Sequence, residues 1–117
     1  MKVLTVFGTR PEAIKLAPVI RELKRRSAQM SKGVSESRDA EAEERGNISV
    51  LSHSLTPVIC VTAQHRQMLD QVLQLFEITP DHDLNVMRDN QSPTQVAAAV
   101  LARLEPILQK EQPDWIL

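Results

Sequence analysis

Two cations stand close together near the start of the chain: Arg10, which ends the stretch Gly8-Thr9-Arg10, and Lys15, five residues later. Gly8-Thr9-Arg10 interrupts an apolar run, and Pro11-Glu12 follows with the signals of a helix start, so Arg10 falls at a loop–helix junction. Free backbone N–H groups and the helix dipole favour anions at such a place. Lys15 lies one to two turns along the helix, and its long side chain could reach back toward the same pocket. Two cations beside a helix N-terminus suit a diphosphate or a sugar nucleotide. The alternative is a pair of solvated surface charges, and the spacing alone leaves both readings open. Neither GxGxxG nor GxxxxGK[ST] occurs, so neither the dinucleotide fingerprint nor the P-loop adds support.

Gln64-His65-Arg66 occupies the equivalent position after a second apolar run. Three polar side chains there could bind a polar ligand or could be plain first-turn residues. His53, His65 and His82 form no metal spacing with acids, and one cysteine makes neither an internal disulfide nor a multi-cysteine zinc site. Cys60, inside an apolar run, reads as a small core residue and not as a nucleophile. Asp81-His82-Asp83 reads as a polar turn before it reads as an acid–base group.

The elements that must hold these residues alternate. Residues 3–7 are a β-branched, apolar run that predicts a strand buried on both faces. Ala13, Ile14, Ala17, Ile20 and Leu23 then recur at helical spacing, with Pro18 inside the pattern and Lys24-Arg25-Arg26 suited to the helix end. Periodicity vanishes over residues 27–56, a serine-rich, charged stretch several times longer than an ordinary helix–strand connection, which predicts a flexible insertion. Residues 58–61 predict the second strand. Thr62 is the expected N-cap of a helix running through Phe76, with Met68, Leu69, Val72, Leu73 and Phe76 in the core. Residues 84–87 predict a short third strand. Ser92-Pro93-Thr94-Gln95 has the spacing of a capping box, and Val96, Val100, Leu104, Ile107 and Leu108 carry that helix toward Lys110. Pro113-Asp114 turns the chain into an apolar Trp115-Ile116-Leu117, which predicts a fourth strand. This β-α-β-α-β-α-β order predicts an α/β fold, a Rossmann-like doubly wound parallel sheet with ligands at the carboxyl ends of its strands.

Composition bounds the function. The 117 residues allow one domain, and 14 basic against 15 acidic residues give a net charge of -1. That balance argues against a nucleic-acid or membrane-surface binder, which needs a cationic face. No apolar run approaches the roughly 18 residues of a spanning helix, and the opening lacks a signal-peptide layout, so a cytoplasmic domain is expected. The fourth strand is cut off after three residues, which leads to the expectation that the sequence is the front part of a larger protein.

Several stretches resemble one family. Lys2-Val3-Leu4-Thr5-Val6-Phe7-Gly8-Thr9-Arg10-Pro11-Glu12-Ala13-Ile14-Lys15 is similar to the amino-terminal signature of the non-hydrolysing UDP-N-acetylglucosamine 2-epimerases. Val61-Thr62-Ala63-Gln64-His65-Arg66-Gln67-Met68-Leu69-Asp70-Gln71-Val72-Leu73 resembles the family's next block, and Asp83-Leu84-Asn85-Val86-Met87 the one after. The resemblance implies the incomplete N-terminal half of a GT-B-type fold, built of two Rossmann-type halves with substrate in the cleft between them. It implies interconversion of UDP-GlcNAc and UDP-ManNAc, by elimination of UDP and its re-addition, in the supply of bacterial surface polysaccharide. Arg10 and Lys15 match substrate-binding positions, with Lys15 also supporting catalysis. Gln64, His65 and Gln67 match positions lining a regulatory site for a second UDP-GlcNAc. No cofactor and no metal are implied, and the complete enzyme is expected to be a homodimer.

The long insertion departs from the family, and the catalytic carboxylates expected beyond Leu117 are absent from these residues, so the 117 residues alone are expected to be inactive unless another chain supplies the missing half. The competing expectations are a fragment of a GT-B glycosyltransferase and a non-catalytic remnant that binds nucleotide sugar. The match from Gly8 to Lys15 weighs against the glycosyltransferase.

Overall fold

The opening apolar run forms β1 (Lys2–Phe7), and its pleat sends alternate residues to two different cores. Phe7 joins an apolar cluster on one face, while Leu4 and Val6 join a second on the other. The structure, a computed structural model, describes residues 1–33 and 54–117. Along the described chain, β1 is followed by α1 (Arg10–Gly33), β2 (Thr56–Val61), α2 (Arg66–Leu75), β3 (His82–Asp83), α3 (Pro93–Glu111) and β4 (Trp115–Ile116). The strands are all parallel, in the order β3-β2-β1-β4.

Helices cover both faces. Ala13, Ala17 and Ile20 of α1 pack with Leu69, Val72 and Leu73 of α2 against Phe7, Ile59 and Val61. On the opposite face, α3 lays Val96, Val100, Leu104 and Leu108 over Leu4, Val58 and Cys60. The fold is therefore the doubly wound, Rossmann-like α/β sheet that the sequence predicts. From β1 the chain winds outward to β2 and β3, then crosses back past β1 to β4. The direction reverses between β1 and β4, and ligands of open α/β sheets bind outside the carboxyl ends of the strands at such a reversal. The loop after β1, which leads into Arg10 at the start of α1, opens there.

Several local expectations need correction. The first helix does not end near Arg26 but continues to Gly33. Ser27, Ala28, Gln29 and Met30 contain no breaker, and Glu22 bonds both Arg25 and Arg26 one turn away, which holds its carboxyl down to about 2 and supports this stretch of helix. The predicted flexible insertion over 27–56 thus gives way to helix at its start and to β2 at its end; residues 34–53 lie outside the described residues. Thr62 caps no helix. After β2 the chain stays hydrogen-bonded to the loop of β1, through Thr62 N–H to Phe7 O and Gln64 N–H to Gly8 O, and Ala63 turns it with a φ of 60°. Those bonds delay the helix to Arg66, with His65 as an N-cap whose side chain makes no capping bond. Within α2, Leu69, Val72 and Leu73 are buried, but Met68 and Phe76 are nearly half exposed, at 48% and 43%. The third strand is not 84–87 but His82–Asp83. Asn85 adopts a left-handed φ of 45°, which ends the strand while leaving Leu84 and Val86 buried.

The capping box of α3 forms as expected: Ser92 Oγ accepts from Gln95 N–H, and Gln95 Oε1 accepts from Ser92 N–H. At the far end of α3, Glu111 bonds two strands at once, His82 of β3 at 2.8 Å and Lys2 of β1 at 3.0 Å. The hydrogen bond from His82, then that from Lys2, holds the Glu111 carboxyl below its ordinary value. A carboxyl depressed in the folded state stabilises above its unfolded pKa, and that contribution is lost as pH falls through the folded value. Glu111→Gln is expected to cost about 1 kcal/mol at pH 7. The difference from the parent chain, measured by urea unfolding, should shrink as pH drops below about 4.

Gly8 is required by close approach. A Cβ there would meet the Thr62 Oγ1 at 1.9 Å and the Thr62 Cβ at 3.3 Å. Gly8→Ala is therefore expected to destabilise by about 1–3 kcal/mol. Adding Thr62→Ala should recover most of that loss, a coupling that urea unfolding of the double-mutant cycle would read.

Candidate functional site

The site begins where β1 and β2 end. Their parallel register pairs Phe7 with Val61, and the two loops continue side by side through the Gln64-to-Gly8 bond at 3.1 Å. Gly8 is buried against Thr62, whose hydroxyl has no hydrogen-bond partner among the described residues. Val86 N–H donates to Thr62 O, so the segment after β3 is fastened to the same point.

Glu12 organises the loop from within the helix. Its Oε2 accepts from Gly8 N–H at 2.9 Å and from Thr9 N–H at 3.0 Å. The Gly8 N–H, then the Thr9 N–H and hydroxyl, and finally the Lys15 charge hold this carboxyl below the ordinary glutamate range. The reading from sequence noted Glu12 only for its favourable place in the dipole. The signal that finds its second role is the Thr9-x-x-Glu12 spacing, half of a capping box.

Arg10 and Lys15 are both exposed, and neither makes a hydrogen bond or ion pair among the described residues. Two charged donors stand uncommitted beside the N-terminus of α1, at the edge of the reversal between β1 and β4. An arginine there offers a planar fork suited to two phosphate oxygens, and a lysine a mobile point charge.

The second constellation divides. Gln64 and His65 line an open, mainly apolar hollow of about 580 Å³ with Met87, Pro93, Val96 and Val100. Gln67 is exposed on α2 and is not among the residues lining it. Arg66 is committed elsewhere: it donates to Asp83 and to Asn85, each at 2.9 Å, and ties the first turn of α2 to the end of β3. Arg103 of α3 does the same from the other face, donating to the carbonyls of Leu84 and Asn85 at 2.6 and 2.5 Å. No local pattern marks Arg103, because its role exists only once α3 is laid across the sheet. Arg10 and Lys15 line neither this hollow nor a second one between α1 and the end of α2. Gln64 links the two regions, since its side chain also lies against Gly8.

Cys60 is buried in β2. Burial, with a smaller push from the Asp83 carboxylate, raises its thiol to about 11, so it is protonated and unreactive at neutral pH. Among the described residues no group of acids, histidines and cysteine could hold a metal, and no helix is long and apolar enough to cross a membrane.

The chain is similar to known proteins along its whole length. A curated UDP-N-acetylglucosamine 2-epimerase of Yersinia pestis is 47% identical over all 117 residues, which span 24% of that protein. The crystal structure of UDP-GlcNAc 2-epimerase from Neisseria meningitidis bound to UDP-GlcNAc superposes with a TM-score of 0.69 at 44% identity, over 99% of this chain and 25% of that one. The S. aureus MnaA–UDP co-structure gives a TM-score of 0.68 at 37% identity, over 98% and 23%. The chain thus spans about a quarter of the length of the relatives it matches. The sequence profile of the UDP-N-acetylglucosamine 2-epimerases matches residues 49–117, more than half of the chain, and the chain belongs to that family.

Proposed function

We propose that this chain carries the part of a UDP-GlcNAc 2-epimerase that grips the substrate's diphosphate. The observation that carries the reading is the pair of uncommitted cations, Arg10 and Lys15, beside the helix N-terminus at the carboxyl end of β1. Support comes from the Neisseria relative solved with UDP-GlcNAc and the S. aureus relative solved with UDP. The reaction is the interconversion of UDP-GlcNAc and UDP-ManNAc by elimination of UDP and its re-addition with inverted C2. Arg10 binds the diphosphate. Lys15 binds it too and stabilises the negative charge that grows on the bridging oxygen as the bond to the sugar breaks.

The chain forms the Rossmann-like part of the N-terminal half of a GT-B-type enzyme, with an insertion between α1 and β2. The complete enzyme works as a cytoplasmic homodimer supplying surface polysaccharide. Gln64, His65 and Gln67 belong to a regulatory site for a second nucleotide sugar. The hollow beside Gln64 and His65 supports two of these assignments, and Gln67 rests on the family resemblance alone.

The 117-residue chain by itself is expected to form no UDP-ManNAc. Placed in the Yersinia relative in exchange for the stretch it matches, it should give an enzyme that interconverts the two sugars, followed by proton NMR of the anomeric signals. In that chimera, Arg10→Ala and Lys15→Ala should each lower kcat/KM about 10²-fold. A fully active double variant would refute the reading.

A further inference from the structure

An anion arriving at this end of the sheet would seek the free amides at the start of α1, and two of them already point at one oxygen. Gly8 N–H and Thr9 N–H both donate to Glu12 Oε2. Charge-assisted bonds of this kind are stronger than neutral ones. Ala13 N–H closes the first bond of the helix onto Thr9 O at 3.0 Å, so loop and helix are locked together around the carboxylate. On the side of β2, Gly8 is packed on Thr62 with no space even for a methyl group. Lys15 lies three residues beyond Glu12 on the same helical face, and its charge helps keep the carboxyl ionised.

Building on the reading that a diphosphate binds at Arg10 and Lys15, we propose that Glu12 is the resident occupant of the backbone anion cradle, so that the diphosphate is held by those two side chains and not by the loop amides. Glu12 is a positioning residue. It satisfies the amides, fixes the direction in which Arg10 leaves the loop, and keeps phosphate oxygens out of the backbone pocket. Gly8 N–H, Thr9 N–H and the Thr9 hydroxyl face it from the loop, and Lys15 from its own helix.

The test uses the ¹⁵N-labelled 117-residue chain, with amide spectra read in two arms. Without ligand, lowering the pH should move the Gly8 and Thr9 amide signals together, with one midpoint below that of an ordinary glutamate. Glu12→Gln should abolish this movement while the rest of the spectrum stays dispersed. Gly8 and Thr9 amides that ignore the carboxyl titration in the parent chain overturn the proposal, whatever binds. In the second arm inorganic pyrophosphate is added at neutral pH. The Arg10 and Lys15 side-chain signals should shift while the two amides stay in place. In Glu12→Ala the amides should shift as well, and pyrophosphate should bind about 2–5-fold more tightly once the neighbouring negative charge is gone. Equal amide shifts in parent and variant overturn the proposal. Pyrophosphate that leaves Arg10 and Lys15 unmoved refutes the diphosphate reading beneath it, while the first arm still decides whether Glu12 fills the cradle.

Discussion

The parallel pairing of β1 with β2 is the constraint on which the rest of the molecule depends. Six residues of β1 stand in register with six of β2, from Lys2 opposite Thr56 to Phe7 opposite Val61. The bonding then continues past both strands, from Thr62 to Phe7 and from Gln64 to Gly8. This extension brings the loops after β1 and β2 side by side at the same level of the sheet. It also requires a residue without a side chain at position 8, since Thr62 occupies the space a Cβ would need. Shifting the register by one residue would exchange the faces of every strand side chain. Phe7 would leave the α1–α2 core, and the Arg10 loop would separate from Gln64.

Around that pairing, positively charged residues do two different jobs. Arg66 and Arg103 are consumed by structure: one bonds the Asp83 and Asn85 side chains, the other the Leu84 and Asn85 carbonyls. Between them they hold a left-handed Asn85 and the irregular segment that replaces a longer third strand. Arg10 and Lys15, equally charged, make no hydrogen bond or ion pair among the described residues. The needs of the neighbouring backbone draw the distinction. The segment after β3 has backbone carbonyls pulled against the core by Leu84 and Val86, and these need donors. The segment after β1 has its carbonyls satisfied by backbone amides, Phe7 O by Thr62, Gly8 O by Gln64 and Thr9 O by Ala13, so it needs no donor from a cation.

How far the sequence predicts this can be judged from particular residues. Val3 to Phe7 and Val58 to Val61 are apolar on both faces, which only a covered parallel strand requires, and the Ser92–Gln95 capping box is a local device with local signals. Those elements stand where expected. The misplaced boundaries share a different cause. Thr62 looks like an N-cap because a cap is judged by the residues that follow it, yet its backbone is bound sideways to Phe7. Residues 84–87 look like a strand because Leu84 and Val86 alternate inward, yet Asn85 is held in a left-handed turn by Arg66 through its side chain and by Arg103 through its carbonyl. In each case a partner distant in sequence decided the outcome. The site shows the same split: the positions of Arg10 and Lys15 were legible from the loop–helix junction, whereas the commitment of Arg66 to Asp83 and Asn85 was not.

The proposed division of labour at the first loop also has a mechanistic logic. On the proposed reaction UDP is expelled from the sugar and then added back, so its diphosphate changes charge and position twice in each turnover. Holding it with equal strength throughout would accelerate nothing, because only interactions that strengthen in the transition state lower the barrier. Backbone amides locked between a buried Gly8 and the first turn of α1 present a fixed geometry. Arginine and lysine carry a full positive charge, so their attraction for the leaving oxygen grows more steeply than that of an amide dipole as the negative charge develops. On the proposed assignment, a carboxylate that keeps the amides occupied leaves the growing charge to the two full cations.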